Sequence, residues 1–242
     1  MKLTRMIFSD MHQHVLWGVD DGPHSEQAMQ DLLEQNAQEE ISLVFATSHS
    51  DPQLRPLDLT LYRKRLKEAN AYCKKRGLNL RVVPGCEIFY RPSAADLLTE
   101  GKLLPLGDSR FVLVEFGELV TIQQLQDAAD KLYRVGYSPV FAHVERYRCL
   151  KRSLKKAMQL REDYGVTFQM NCHTITNPHG FMEQLFVYRM LKAHAIDVIA
   201  TDAHDTVHRP VCMKAAYQAV ANLCSERYAR ELTRFGQKLV SE

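Results

Sequence analysis

His12-Gln13-His14 sets two imidazoles two residues apart, and in extended backbone that spacing turns both rings to one side of the chain. Asp202-Ala203-His204 repeats the spacing with a carboxylate and an imidazole. Neutral imidazole and ionised carboxylate suit zinc, manganese or iron, so both motifs point to divalent-metal chemistry. His49, Glu87, Glu115 and His143 each fall at or near the end of a β-rich run. Any one of them alone reads best as a structural residue with its hydrogen bonds satisfied. Five histidines and three carboxylates spread over the ends of six such runs do not, and a shared metal site is the better reading.

Asp20-Asp21-Gly22 offers one more ligand, although by itself it reads as an Asx turn with glycine supplying the special backbone angle. Arg146 and Arg209 stand in His143-Val-Glu-Arg and in Asp202-Ala-His-Asp-Thr-Val-His-Arg-Pro, beside the proposed ligands. A guanidinium fork binds phosphate oxygens two at a time, which a carbonyl substrate does not require. His24, His173, His179, His194 and His208 have weaker claims: His194, within a helical segment, reads as structural or solvated, and His24, His173 and His208 could line the mouth but read better as structural. A C-x5-R string runs from Cys224 to Arg230, but its helical pattern and lack of glycine do not make a phosphate-cradling loop.

The elements that must position these residues alternate. Strands are expected at 6–11, 43–48, 80–86, 111–116, 138–143, 166–171 and 197–203, mostly as continuous apolar runs typical of parallel strands covered on both faces. Ser25 and Asp58 can cap the helices that follow them, and Thr121 with Gln124 forms a capping-box signature. Gly77, Gly136 and Gly165 stand where helix ends need positive φ. Two closing helices are expected near 211–223 and 226–239. Alternation of this kind gives a parallel β/α barrel, with an open doubly wound sheet as the alternative, and in a barrel all strand C-termini open on one face.

Composition narrows the class. The 242 residues are 45% hydrophobic and 25% charged, which suits one globular domain over 1–242. A net charge of +2 implies no broad attraction to nucleic acid or membrane. No run approaches the roughly 20 apolar residues of a membrane-spanning helix. The run MKLTRMIFSDMHQH lacks a signal-peptide core, and the six cysteines form no CxxC pair, so reduced thiols and a cytoplasmic location are expected.

Taken in order, Ser9-Asp-Met-His-Gln-His, Val19-Asp-Asp-Gly-Pro, Thr47-Ser-His, Pro84-Gly-Cys-Glu, Val114-Glu-Phe, Ala142-His-Val-Glu-Arg and Thr201-Asp-Ala-His through Arg209-Pro210 resemble a known family along nearly the entire chain. It is that of the bacterial PHP-domain protein-tyrosine phosphatases of capsule and exopolysaccharide operons, the CpsB/YwqE type. The resemblance implies a distorted (β/α)7 barrel with three divalent metals, manganese first and iron or zinc as alternatives. It assigns His12, His14, Glu87 and Asp202 to one ion, Glu87, Glu115 and His143 to a second, and Asp21, His49 and His204 to a third. Arg146 and Arg209 match the phosphate-binding arginines. Phe89-Tyr90-Arg91 and Asn171-Cys-His-Thr agree more loosely.

The implied reaction is attack of a metal-activated hydroxide on phosphotyrosine. The implied substrate is the tail of a bacterial tyrosine kinase that controls polysaccharide synthesis, with no nucleic-acid partner, no membrane insertion and room for a homo-oligomer. Hydrolysis of a small phosphomonoester such as histidinol phosphate, a metal-dependent amidohydrolase, and a non-catalytic metal-bound adaptor for the kinase are the alternatives.

Overall fold

A computed structural model describes residues 7–240; Met6, where the first expected strand begins, and both ends of the expected 1–242 domain lie outside the described residues. The strands are β1 (Phe8–Gln13), β2 (Ile41–Ala46), β3 (His49–Ser50), β4 (Arg81–Pro84), β5 (Glu87–Phe89), β6 (Phe111–Glu115), β7 (Ser138–Phe141), β8 (Thr167–Asn171) and β9 (Val198–Ala200). Every pairing between them is parallel, in the orders β1-β2-β4 and β3-β5-β6-β7-β8-β9.

The two sheets are parts of one curved wall. Thr47-Ser48 interrupts the second expected strand and Gly85-Cys86 the third, so each continues as a second, shorter piece, β3 and β5. A side chain at Gly85 would press on Leu106 and Thr47 at 3.2 and 3.3 Å, which is why the break runs through glycine. Seven strands were expected and seven are present, two of them broken. His49 and Glu87 therefore lie within strand continuations rather than after strand ends, a correction to the expected placement.

Closure comes from the first and last strands. The Asp202 amide donates to the His12 carbonyl at 2.8 Å and the His14 amide to the Ala203 carbonyl at 2.9 Å, with Gln13 and Ala203 bridged in parallel. Closure excludes the open doubly wound alternative. The result is an α/β distorted (β/α)7 barrel.

Inside the wall, Met11, Leu43, Phe45, Val83, Leu113, Val140 and Val198 form an apolar plug. The short helix Phe235–Leu239 seals the bottom, where Gly236 lies so close that a Cβ would meet Phe45 at 2.8 Å and Ser9 at 3.1 Å. The second closing helix is thus split, Glu226–Thr233 and Phe235–Leu239. Outside the wall, helices bury a larger apolar layer against the strands. Ser25, Asp58 and the Thr121–Gln124 box cap helices as expected. Gly77, Gly136 and Gly165 take φ of 66°, 88° and 61°, as helix C-termini require. Among the described residues, no helix is long and apolar enough to cross a membrane.

Candidate metal centre

The mouth of the barrel gathers the metal-type residues. Met11 faces the apolar plug, so a regular strand would turn His12 the other way. A register shift in β1 between Asp10 and Gln13 resets the alternation. It sends Gln13 outward to Asn36 and leaves His12 and His14 inside the mouth, with their Nε2 atoms 3.4 Å apart. His143 and Asp202, immediately past their strands, adopt φ of 33° and 54°, a left-handed conformation that costs a non-glycine residue about 1–3 kcal/mol. Asp202-Ala203-His204 is therefore not the extended repeat of His12-Gln13-His14; the kink at Asp202 does the aiming instead.

Three overlapping groups result, each with donor atoms lying within 4.8 Å of one another: His12, His14, Glu87 and Asp202; His49, Glu87 and Glu115; and His14, Asp21, His49 and His204. His143 joins through Nε2, 2.8 Å from Glu87 Oε1 and 3.5 Å from Glu115 Oε2. Glu87 is the hub. Its Oε2 sits 3.2, 3.2 and 3.0 Å from nitrogens of His12, His14 and His49, yet no N–H axis points at it and the atom is left without a hydrogen bond. His204 Nε2 is likewise buried and unpaired, 3.3 Å from Asp21 Oδ1. Buried atoms whose lone pairs converge without sharing protons fit divalent cations.

Residues 8–240 match the family described as "Capsular polysaccharide synthesis, CpsB/CapC". The chain belongs to that family. It is 28% identical to the tyrosine-protein phosphatase CpsB of Streptococcus pneumoniae over 231 residues, 92% of this chain and 93% of the relative. It is 26% identical to the tyrosine-protein phosphatase YwqE of Bacillus subtilis over 200 residues, 83% of this chain and 78% of the relative. Among solved structures, one described for YwqE from Bacillus subtilis and CpsB from Streptococcus pneumoniae, "unique metal-dependent tyrosine phosphatases", superposes with a TM-score of 0.87 over 98% of this chain and 94% of that one, at 24% identity. The histidinol phosphate phosphatase of Lactococcus lactis, with zinc, L-histidinol and phosphate, superposes at 0.57 over 92% and 93%, at 13% identity.

In this CpsB/CapC-family mouth, a polar layer beneath the donors fixes their orientation. Asp20 Oδ2 lies 2.7 Å from His14 Nδ1 and accepts from the His49 amide at 2.9 Å, while its Oδ1 accepts from Gly22. Asp20 thus lies behind His14, whereas Asp21 Oδ1 lies 3.3 Å from His204 Nε2 and 3.5 Å from His49 Nε2. Gln169 Oε1 lies 3.2 Å from His12 Nδ1 and accepts from the His143 amide at 2.7 Å. Gln169 Nε2 donates to Asn171, whose Nδ2 in turn donates to Asp202 Oδ2 at 2.8 Å. The sequence reading missed these positioning roles of Asp20, Gln169 and Asn171.

Charge in the mouth is divided between protons and carboxylates. Burial alone would push His49 and His143 down, but Glu115 and Glu87 outweigh it and raise them to about 10 and about 9. His14 is raised well above its ordinary value against its own burial, chiefly by Asp20. Despite burial, the imidazoles, His12 foremost, hold Glu87 and Asp202 well below the carboxylate range. The carboxylates thus demand positive charge at the centre, which protons supply when cations do not.

Arg146 and Arg209 stand opposite, their guanidiniums 3.0 and 2.8 Å from Asp202 Oδ2. Both are substantially exposed, at 44% and 40% of their side chains, along a cleft of about 230 Å³. His173, His179 and His208 also line this cleft, so the weaker expectation that His173 and His208 lie near the mouth was the better one. His194 stacks on Tyr228 at 4.1 Å and plays no part. Arg91 of the loosely matching Phe89-Tyr90-Arg91 is bound to Asp51 at 2.6 Å.

Proposed function

We propose that this chain is a divalent-metal-dependent protein-tyrosine phosphatase, acting as one domain on phosphotyrosine of a bacterial tyrosine kinase that governs capsular or exopolysaccharide synthesis. The observation that carries the reading is the pairing of three overlapping donor groups with two solvent-facing guanidiniums across Asp202. The relatives named above as tyrosine-protein phosphatases support the substrate class.

His12, His14, Glu87 and Asp202 would hold one ion, Glu87, Glu115 and His143 a second, and Asp21, His49 and His204 a third, with manganese favoured over iron or zinc. Bound ions supply Lewis acidity and lower the pKa of coordinated water from 15.7 to about 7. Asp20 and Gln169 keep the imidazoles turned to their lone-pair side. Arg146 and Arg209 clamp the equatorial phosphate oxygens, where charge accumulates during in-line displacement. The tyrosine leaving group has a pKa of about 10, so its departure asks little of a general acid.

The deciding experiment measures phosphate release from a phosphotyrosine peptide and from histidinol phosphate, on metal-depleted protein to which Mn²⁺, Fe²⁺ or Zn²⁺ is returned. Metal-dependent turnover of the peptide in preference to histidinol phosphate is expected. Preference for histidinol phosphate would replace the substrate, and binding of a phosphorylated kinase tail without turnover would replace the enzyme with an adaptor.

A further inference from the structure

Arg148, Lys151, Arg152, Lys155 and Lys156 put five cations into nine residues with no carboxylate among them. Arg148 and Lys151 lie in the short helix Arg148–Lys151, Arg152 caps its C-terminus, Lys155 and Lys156 open helix Leu154–Tyr164, and all five are exposed. Arg148 leans on Glu118 at 3.6 Å and Lys151 on Glu183 at 3.3 Å. Among the described residues, the side chains of Arg152, Lys155 and Lys156 enter no ion pair. The cluster therefore has charge to offer.

Its shape points to what it would take. Arg148, Arg152 and Lys156 line one wall of a groove of about 590 Å³, whose other wall is the stretch 119–123. That opposite wall includes the first residues of helix Ile122–Arg134, whose positive dipole end adds to the attraction for anions. No carboxylate lines the groove. Leu119, 74% exposed, stands on its lip and is shared with a second groove running to Phe89 and Phe116, the latter next to Glu115. Arg148 follows Arg146 by two residues, a step of at most about 7 Å along the backbone. The cationic groove thus starts two residues along the chain from Arg146, which lines the cleft at the mouth.

We propose that this groove is a docking track for an acidic stretch of polypeptide flanking the phosphotyrosine. The inference rests on the phosphatase reading above and adds to it a substrate preference. A single-stranded nucleic acid would need aromatic faces to stack on, and the groove is lined by none. A membrane surface would meet a convex face, whereas Arg148, Arg152 and Lys156 line a concavity with one exposed leucine. An extended peptide fits both the trough and its charge, and rim charges of this kind set encounter rate and partner choice.

The test uses the full chain loaded with Mn²⁺ and the charge-reversed variant Arg152→Glu/Lys155→Glu/Lys156→Glu, which touches only exposed side chains. Substrates are a phosphotyrosine peptide flanked by glutamates, the same peptide flanked by serines, and p-nitrophenyl phosphate. Wild type should prefer the acidic peptide in kcat/KM by about tenfold at low salt, and the preference should fade as the screening length shrinks to about 8 Å at 0.15 M salt. The variant should lose it while hydrolysing p-nitrophenyl phosphate at the wild-type rate. Equal use of both peptides by wild type, or an unchanged preference in the variant, overturns the proposal. Should none of the three be hydrolysed, the phosphatase reading fails, and anisotropy of a fluorescein-labelled Glu-rich peptide lacking phosphotyrosine still reads the groove. Binding abolished by the variant supports the track and absence of binding to wild type overturns it. Sedimentation of wild type, but not the variant, with phosphatidylserine vesicles, without any peptide preference, would assign the cations to a membrane instead.

Discussion

Arg146 and Arg209 meet on one oxygen, Oδ2 of Asp202, at 3.0 and 2.8 Å, while the other oxygen of that carboxylate lies 3.4 Å from both His12 and His14. One side chain therefore couples the two guanidiniums to the donor cluster. Arg209→Lys keeps the charge but removes the fork. Loss of a charge-assisted hydrogen bond of about 1.5–3 kcal/mol corresponds to a drop of roughly 10- to 100-fold in kcat/KM. Inhibition by inorganic phosphate should weaken in parallel, and lysine kinetics equal to wild type would remove Arg209 from the site.

Asp20 holds His14 from behind, and partners in this position typically contribute 10- to 100-fold to metal affinity. Asp20→Asn should raise the Kd for Mn²⁺ by about that factor and also lower the melting temperature of the metal-free chain, because it leaves the buried, raised His14 without its counter-charge. Calorimetric titration makes the comparison. An unaltered Kd would return Asp20 to the role of a turn former.

Burial pushes the Cys224 thiol up, the opposite of what a nucleophile needs, and Arg230 pairs with Glu226 at 3.4 Å inside helix Glu226–Thr233. Cys224→Ser should retain full hydrolysis of an aryl phosphate. EDTA should abolish it and Mn²⁺ restore it. Full activity after verified metal removal, with an inactive Cys224→Ser, would reverse the mechanism.

The pH dependence of the metal-free chain should run against habit. His49 and His143 stand at about 10 and about 9 in the folded chain, above the roughly 6.5 of an unfolded histidine. Groups raised in this way stabilise the fold fully below about pH 6.5 and cease to as pH climbs through their folded values. The melting temperature of metal-free protein should fall between about pH 7 and 10, and saturating Mn²⁺ should flatten the decline because cations replace those protons. Parallel curves with and without metal would refute this account. Metal uptake at pH 7 should also release protons, so activity declines towards acid.

The side of the barrel that the donors occupy was legible because strand ends in a parallel barrel share a face, although a register shift aims His12, a broken strand carries Glu87 and a kink aims Asp202. The layer beneath them was not. Gln169 reads as one polar residue in an apolar strand, and its partners His12 and His143 lie 157 and 26 residues away. Asp20 looked like a turn residue, and it does make that turn with Gly22 while also serving His14. The breaks after β2 and β4 left no periodicity to detect, since β3 and β5 span only two and three residues. The shift in β1 was hidden because both regular and shifted strands keep His12 and His14 on a common side.

The closing seam, Asp202 to His12 and His14 to Ala203, joins the first strand to the last. During synthesis the chain emerges from its N-terminus, so His12 and His14 leave the ribosome about 190 residues ahead of Asp202 and His204. Loop closure over that distance is among the most costly in the fold. A nascent chain short of Asp202 carries His12, His14, His49, His143, Glu87, Glu115 and Arg146 but lacks Asp202, His204 and Arg209. Hydrolytic competence should therefore arrive in one late step rather than accumulate, and truncations before the seam should be inert however much of the wall they have built.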